Sequence, residues 1–236
     1  MFGPLDGLTV FDTTRDPQGA ITSMMFADYG ARVIKIEPDG ERDEPGWFTV
    51  ARRAWDRGKW SIRLDLASEA GAAQLRRMLP LADVLVSSAH GTDAQRWGLD
   101  DDALLNEFPR LVHCRLSGYG LDGPHVDRPA IEALVAARWG MMGEQRGHRP
   151  GPKFLGHPSV LYGTGLLGAI GTLAALRARR VTGRGQRVDT SLLDSVLAQS
   201  PMNWWWNELG ASYLAREGSE EGFGRSRLLL GLFQAS

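Results

Sequence analysis

Sulfur chemistry is nearly absent from this 236-residue chain: a single cysteine, Cys114, excludes an internal disulfide. It lies in residues 111–116 (LVHCRL), which read as a buried strand. A core side chain in a reducing compartment is expected, with a reactive thiol as the alternative. Charge of one sign is lacking too, since 27 Lys and Arg stand against 28 Asp and Glu, a formal net charge of −1. That balance offers no general attraction for nucleic acid. The five histidines, His90, His113, His125, His148 and His157, have no carboxylate or cysteine beside them at ligand spacing, so no metal site is expected. His113 alternates into the strand as a core residue. The longest apolar stretch, residues 155–176, is interrupted by His157, Pro158 and five glycines, and the N-terminal MFGPLDGL has neither a basic region nor an apolar signal core. These absences predict a cytoplasmic protein with no membrane partner.

With 43% hydrophobic residues, the composition is that of a globular protein of one large or two small domains. Residues 8–11 (LTVF) read as a strand, 20–29 as an apolar helix, and 32–36 (RVIKI) as a second strand after a turn at Gly30. Residues 60–66 (WSIRLDL) alternate like a strand, Ser68 caps a helix reaching about residue 79, and 82–86 (ADVLV) is strand-like. A short helix over 101–108 precedes the strand at 111–116. Strands alternating with helices predict an α/β fold: a mostly parallel, Rossmann-like sheet with helices on both faces and ligands at the carboxyl ends of its strands. Helices over 130–142 and 159–180, a short strand at 186–189 and a helix from 191 towards 209 follow, and they read as an outer layer or partner surface. The run MNWWWN at 202–207 predicts burial against another chain or a further part of the protein, because three adjacent tryptophans cannot all face one core. The residues after 215 are polar and glycine-rich and then end on an apolar run.

The stretch 117–132 (SGYGLDGPHVDRPAIE) is the most informative. Gly118, Gly120 and Gly123 spell G-x-G-x-x-G after a strand, the pattern of a dinucleotide phosphate loop. The context opposes that reading. In that motif the last glycine sits inside the helix holding the pyrophosphate, whereas here Pro124 and HVDRP intervene, and no acidic residue closes a strand about 20 residues on. The loop's amides can instead stabilise an oxyanion, or its glycines can simply make a tight turn. Glu132 places a carboxylate at the start of an apolar helix. Its structural alternative is that Asp127 caps this helix, Glu132 favours the dipole, and Ile131, Leu134 and Val135 form the buried face.

Several blocks in order resemble the family III CoA-transferases, the group that includes formyl-CoA and carnitine-CoA transferases and 2-methylacyl-CoA racemases: PLDGLTVFD, ADYGARVIKIEPDG, DRGKWSIRLDL, ADVLVSS with RWGLD, PRLVHCRLSGYGLDGP, and RVTGRGQRVDTSLLDS. The resemblance implies a CoA-binding large domain over residues 1–200, a linker and truncated start of a smaller domain over 201–236, and an interlocked homodimer or association with a missing C-terminal part. It implies transfer of CoA from an acyl-CoA to a carboxylic acid through a carboxylate on the enzyme, a role that falls on Glu132 where the family carries aspartate. A catalytically silent CoA-binding or assembly domain is the alternative. The racemase branch needs a histidine and an acid as two bases. Ile131 stands at the first place, and no acid lies near Leu161 and Tyr162. For coenzyme A itself the resemblance points to Gly19, Arg57, Lys59, His90 and Arg96, with Gly118 and Gly120 in the loop. No metal is implied.

Overall fold

The computed structural model describes residues 3–38, 46–89, 91–99, 101–142, 152–154 and 156–199. The chain divides into compact units Met1–Val196 and Leu197–Ser236, and the fold and site belong to the first. The tryptophan run and the expected linker lie outside the described residues.

Six strands form one all-parallel sheet: β1 (Thr9–Asp12), β2 (Arg32–Glu37), β3 (Trp60–Arg63), β4 (Val84–Ser87), β5 (Val112–Ser117) and β6 (Arg187–Ser191), in the order β3-β2-β1-β4-β5-β6. That is the doubly wound order, which opens a crevice at the carboxyl edge between β1 and β4. Helices α1 (Pro17–Asp28), α2 (Gly46–Trp55), α3 (Glu69–Met78), α4 (Gly91–Arg96), α5 (Asp101–Glu107), α6 (Glu132–Arg138), α7 (Ser159–Thr182) and α8 (Leu192–Gln199) complete the described fold. Alternation along the strands sorts their side chains between two cores. Val10, Val33, Val84, Val86, Val112 and Cys114 pack with Phe26, Ala169 and Leu176 from α1 and α7. Phe11, Ile36 and Leu85 pack on the other face with Leu75, Leu79 and Leu104. Cys114 is buried and its thiol is pushed up to about 12 by desolvation, so it is a core side chain. His113, equally buried, is bonded through Nε2 to Ser87 Oγ at 2.8 Å.

α7 is the crossover into β6 and packs on α1 and the sheet, with half of its apolar window buried. By length and composition alone it is apolar enough to cross a membrane. Its glycines permit close approach: a Cβ at Gly165 would stand 2.6 Å from Ile21 Cγ2. Two helices, α2 and α4, lack a sequence expectation, and α6 starts at Glu132 rather than at 130.

A charged cluster is buried between β1, β2 and α1. Asp12 Oδ1 accepts from Lys35 Nζ at 3.0 Å and from the Thr14 hydroxyl at 2.7 Å, while Oδ2 accepts from Ser23 Oγ at 2.5 Å and Lys59 Nζ at 3.4 Å. Desolvation works to raise the Asp12 carboxyl, but the two ammonium groups and the hydroxyls outweigh it and hold it well below the usual carboxylate range. Desolvation also lowers Lys35, against the pull of Asp12. Because the folded pKa is depressed, the stability that Asp12 contributes is full above its ordinary value of 3.8 and is lost as pH falls towards the folded value. Asp12→Asn leaves two buried ammonium groups without their counter-charge and is expected to cost about 3 kcal/mol or more at neutral pH. The deficit should shrink in acid, as denaturant unfolding of both proteins across that range will show.

Candidate functional site

The first turn of α7 organises the site. Its N-cap residue is Pro158, whose side chain cannot accept a hydrogen bond, so the first amides of a 24-residue helix need another acceptor. Glu132, the first residue of α6, supplies it: Oε1 accepts from Val160 N at 2.9 Å and Leu161 N at 3.3 Å. No partner for Oε2 is found among the described residues. Desolvation raises the Glu132 carboxyl above its ordinary 4.5, opposed by these two amides and by His157. The carboxyl lines an open cavity of about 330 Å³, together with Ala136, Met141, Met142, Lys153, Phe154 and His157. One oxygen is thus anchored while the carboxyl group itself borders free space.

Other elements converge on the same turn. Ser195 Oγ of α8 donates to Val160 O at 2.9 Å, and Trp55 Nε1 of α2 donates to Tyr162 Oη at 3.1 Å. From α1, the backbone carbonyl of Gln18 would lie 3.3 Å from a Cβ at Gly165. The Gln18 side chain is wholly buried, and neither its amide oxygen nor its amide nitrogen has a partner among the described residues.

Asp127 does not cap α6. The N-cap is Ile131, without a side-chain cap bond. Nor do Ile131 and Leu134 form a buried face: they are 51% and 49% exposed, whereas Val135 and Ala136 are buried. The helix is too short, and too tightly held through Glu132 to α7, to turn that stripe inward.

The residues expected along coenzyme A are scattered. Lys59 is a buried strut whose ammonium donates to Ala20 O and Asp56 Oδ1, both at 2.9 Å, and to Asp12. Its three protons are therefore committed within the fold. Gly19 sits near it in α1, and a Cβ there would overlap the Thr14 side chain, so packing inside the protein already requires glycine. Arg57 is exposed and pairs with Asp28 at the far end of α1. Gly118 packs against Ala130, where a Cβ would come within 2.9 Å of its Cα. Gly120 has φ +95° and gives its N–H to Ser117 Oγ at 3.1 Å. Arg96 ends α4, is exposed and directly precedes Trp97 in sequence, and His90 lies outside the described residues. A cation missed in the sequence is Arg15, on the β1–α1 loop, whose guanidinium stacks over the Trp97 ring at 5.3 Å. Only its place in the first strand-to-helix turn could have signalled it. Among the described residues no cluster of potential metal ligands is present.

A doubly wound parallel sheet, with a carboxylate fixed on a helix N-terminus beside an open cavity, defines an α/β protein. The family model for CoA-transferase family III matches residues 5–235, and the chain belongs to that family. It is 35% identical over 210 residues to the acetyl-CoA:oxalate CoA-transferase of Acetobacter aceti, covering 83% of this chain and 52% of that protein. It is 32% identical over 211 residues to the succinyl-CoA–L-malate CoA-transferase beta subunit of Chloroflexus aurantiacus, covering 82% and 50%. The crystal structure of Rv3272 from M. tuberculosis superposes with TM-score 0.79 at 30% identity, over 86% of this chain and 58% of that one. The chain thus spans about half the length of the curated relatives it matches.

Two stability effects follow. Gln18→Met replaces two unpartnered buried polar groups by apolar atoms of similar shape and is expected to stabilise the chain by about 1 kcal/mol. Thermal unfolding checks it, and an unchanged or lower midpoint contradicts it. Glu132→Ala removes the cap of α7 and is expected to cost about 1 kcal/mol, whereas Glu132→Gln keeps an oxygen acceptor. Because the folded carboxyl is raised, its favourable contribution is full below its ordinary value and declines as pH rises through the folded value. Denaturant unfolding of Glu132→Gln should lack that decline.

Proposed function

We propose that this chain carries the acyl-handling part of an acyl-CoA:carboxylate CoA-transferase, with Glu132 as the carboxylate that is acylated. The observation that supports it is the fixed Glu132: Oε1 held by two amides, no partner on Oε2 among the described residues, and a cavity in front. The relatives named as CoA-transferases favour the same class.

The chemistry follows from that placement. Oε2 attacks the carbonyl carbon of an acyl-CoA; the C–S bond breaks, CoA leaves as the thiolate, and a mixed anhydride remains on Glu132. The thiolate then attacks the glutamyl carbonyl carbon, the donor acid departs as a carboxylate, and Glu132 carries CoA as a thioester. An acceptor carboxylate attacks that thioester, releases the thiolate and forms a second anhydride. The thiolate returns to the acceptor's carbonyl, giving the new acyl-CoA and regenerating the free carboxylate. In every attack on the glutamyl carbon the negative charge develops on Oε1. The Val160 and Leu161 amides already point at that atom, so they serve as the oxyanion donors. Anchoring also fixes a side chain one methylene longer than aspartate, which answers the misplacement that a longer carboxylate brings. Arg15, stacked over Trp97, and Arg96, the residue before Trp97, are the cations assigned to the phosphates of coenzyme A in this reading.

A second reading, a catalytically silent domain, is favoured by the same hydrogen bonds, because capping α7 is reason enough to keep a carboxylate at residue 132. The substitutions separate the two. After incubation with an acyl-CoA, mass spectrometry of a proteolytic digest should find a CoA adduct on the Glu132 peptide of the wild type and none in Glu132→Gln, at comparable thermal stability. No adduct on a chain that coenzyme A stabilises against unfolding identifies the silent domain. The CoA-dependent rise in midpoint should fall in Arg15→Ala.

A further inference from the structure

The transfer sequence moves no proton, yet the cavity beside Glu132 holds a residue suited to moving one. His157 lines it together with the carboxylate, while Ala136, Met141, Met142 and Phe154 form its apolar wall. His157 is exposed and directly precedes Pro158, the N-cap of α7, so it stands at the helix end whose amides hold Oε1. The residue before a proline has few backbone conformations, and the His157 carbonyl oxygen also accepts from Ser159 N at 2.8 Å. Its ring makes no hydrogen bond with any described residue. Burial raises the Glu132 carboxyl and His157 is among the groups that oppose it, so the two side chains are within electrostatic reach of each other. An acyl group carried on a carboxylate is activated towards water as well as towards a thiolate, and water enters an open cavity.

We propose that this chain also hydrolyses acyl-CoA, with His157 as the general base that delivers water to the Glu132 thioester. The inference rests on the reading of Glu132 as the acylated group. His157 takes a proton from a water in the cavity, and the hydroxide adds to the glutamyl carbonyl carbon. The charge that develops on Oε1 falls to the Val160 and Leu161 amides, as it does in transfer. The C–S bond breaks, CoA leaves as the thiolate, and His157 returns the proton to its sulfur. An imidazole suits this exchange because it takes up and gives back a proton near neutral pH. The carboxylic acid left on residue 132 ionises, so acyl-CoA and water become a carboxylate, free CoA thiol and a proton. The donor acid has departed with Oε2, and the oxygen that replaces it on Glu132 comes from water.

The test gives the chain acetyl-CoA or succinyl-CoA without any acceptor acid and follows free thiol. A single turnover in heavy-oxygen water, with the protein in excess, is then digested for mass spectrometry. Continued thiol release is expected, with the heavy oxygen in the Glu132 peptide and not in the released acid. His157→Gln should slow release about a hundredfold, the lower range of general acid–base catalysis, and let the CoA adduct on Glu132 accumulate beyond its wild-type level. Added imidazole should restore release in His157→Ala, which a merely structural role would not allow. Both variants change an exposed side chain and should unfold at the wild-type midpoint. An adduct that persists in the wild type without further thiol release overturns hydrolysis and leaves transfer standing. Release undiminished in His157→Gln overturns the role of His157. Release that needs His157 but puts the heavy oxygen in the acid overturns the Glu132 step, since water then attacks acyl-CoA directly, and leaves hydrolysis by His157 standing. Neither adduct nor release refutes both.

Discussion

The buried Asp12 carboxylate, held between two lysines, is the interaction on which the site's geometry depends. β1 delivers Asp12 to the carboxyl edge, β2 delivers Lys35 beside it, and the residue before β3 reaches across with Lys59. Lys35 also donates to Thr14 O at 2.6 Å and Lys59 to Ala20 O, so the cluster grips both sides of the turn into α1. Ser23 closes it from the helix. Removing the charges from water is costly, and the hydrogen bonds that compensate are directional. The consequence is positional: the β1–α1 turn cannot drift, and the start of α1 is fixed against α7.

From that fixed turn the constraint passes to α7. The two helices lie close enough that Ile21 meets the bare backbone of Gly165 and Thr22 Oγ1 donates to Gly165 O at 3.3 Å. The first turn of α7 is also held by Ser195 through Val160 O and by Tyr162 through Trp55. A helix so constrained presents its free amides in one direction. Glu132 meets them because Pro158 cannot, and the orientation of the carboxylate is therefore set by the backbone rather than by rotamer preference alone.

Local pattern carried much of this into the sequence. The alternation of Val10 with Phe11 and of Val84 with Leu85 announces strands buried on both faces, and Ser68 caps α3 through Gly71 N at 3.0 Å as its position suggests. The family could be recognised from short blocks, because strand-to-helix turns use residues whose reasons are local. What stayed hidden depends on partners distant in sequence. Lys59 reads as a surface cation until Asp12, 47 residues earlier, is placed against it. Asp127 reads as a cap until Ile131 is found at that position. The glycines of α7 read as interruptions until Ile21 and Val188 fill the space beside them. Gln18 carries no pattern at all, for its interest lies in the want of a side-chain partner among the described residues.

Capping a helix and attacking a thioester are compatible duties for one carboxylate, because they use different oxygens. Before acylation Oε1 carries its share of the negative charge against the dipole of α7. In the proposed acylated state the group would be neutral, yet Oε1 would persist as a carbonyl oxygen able to keep both hydrogen bonds, so the helix would keep its cap. In the proposed sequence the charge returns to Oε1 at each attack on the glutamyl carbon, where the amides are already aligned and no reorganisation is needed. An aspartate on α6 would stop one methylene short of these amides. The exchange of aspartate for glutamate at residue 132 thus makes sense if the carboxylate must reach from α6 to the end of α7. The same reach explains why the residue looks structural and chemically competent at once.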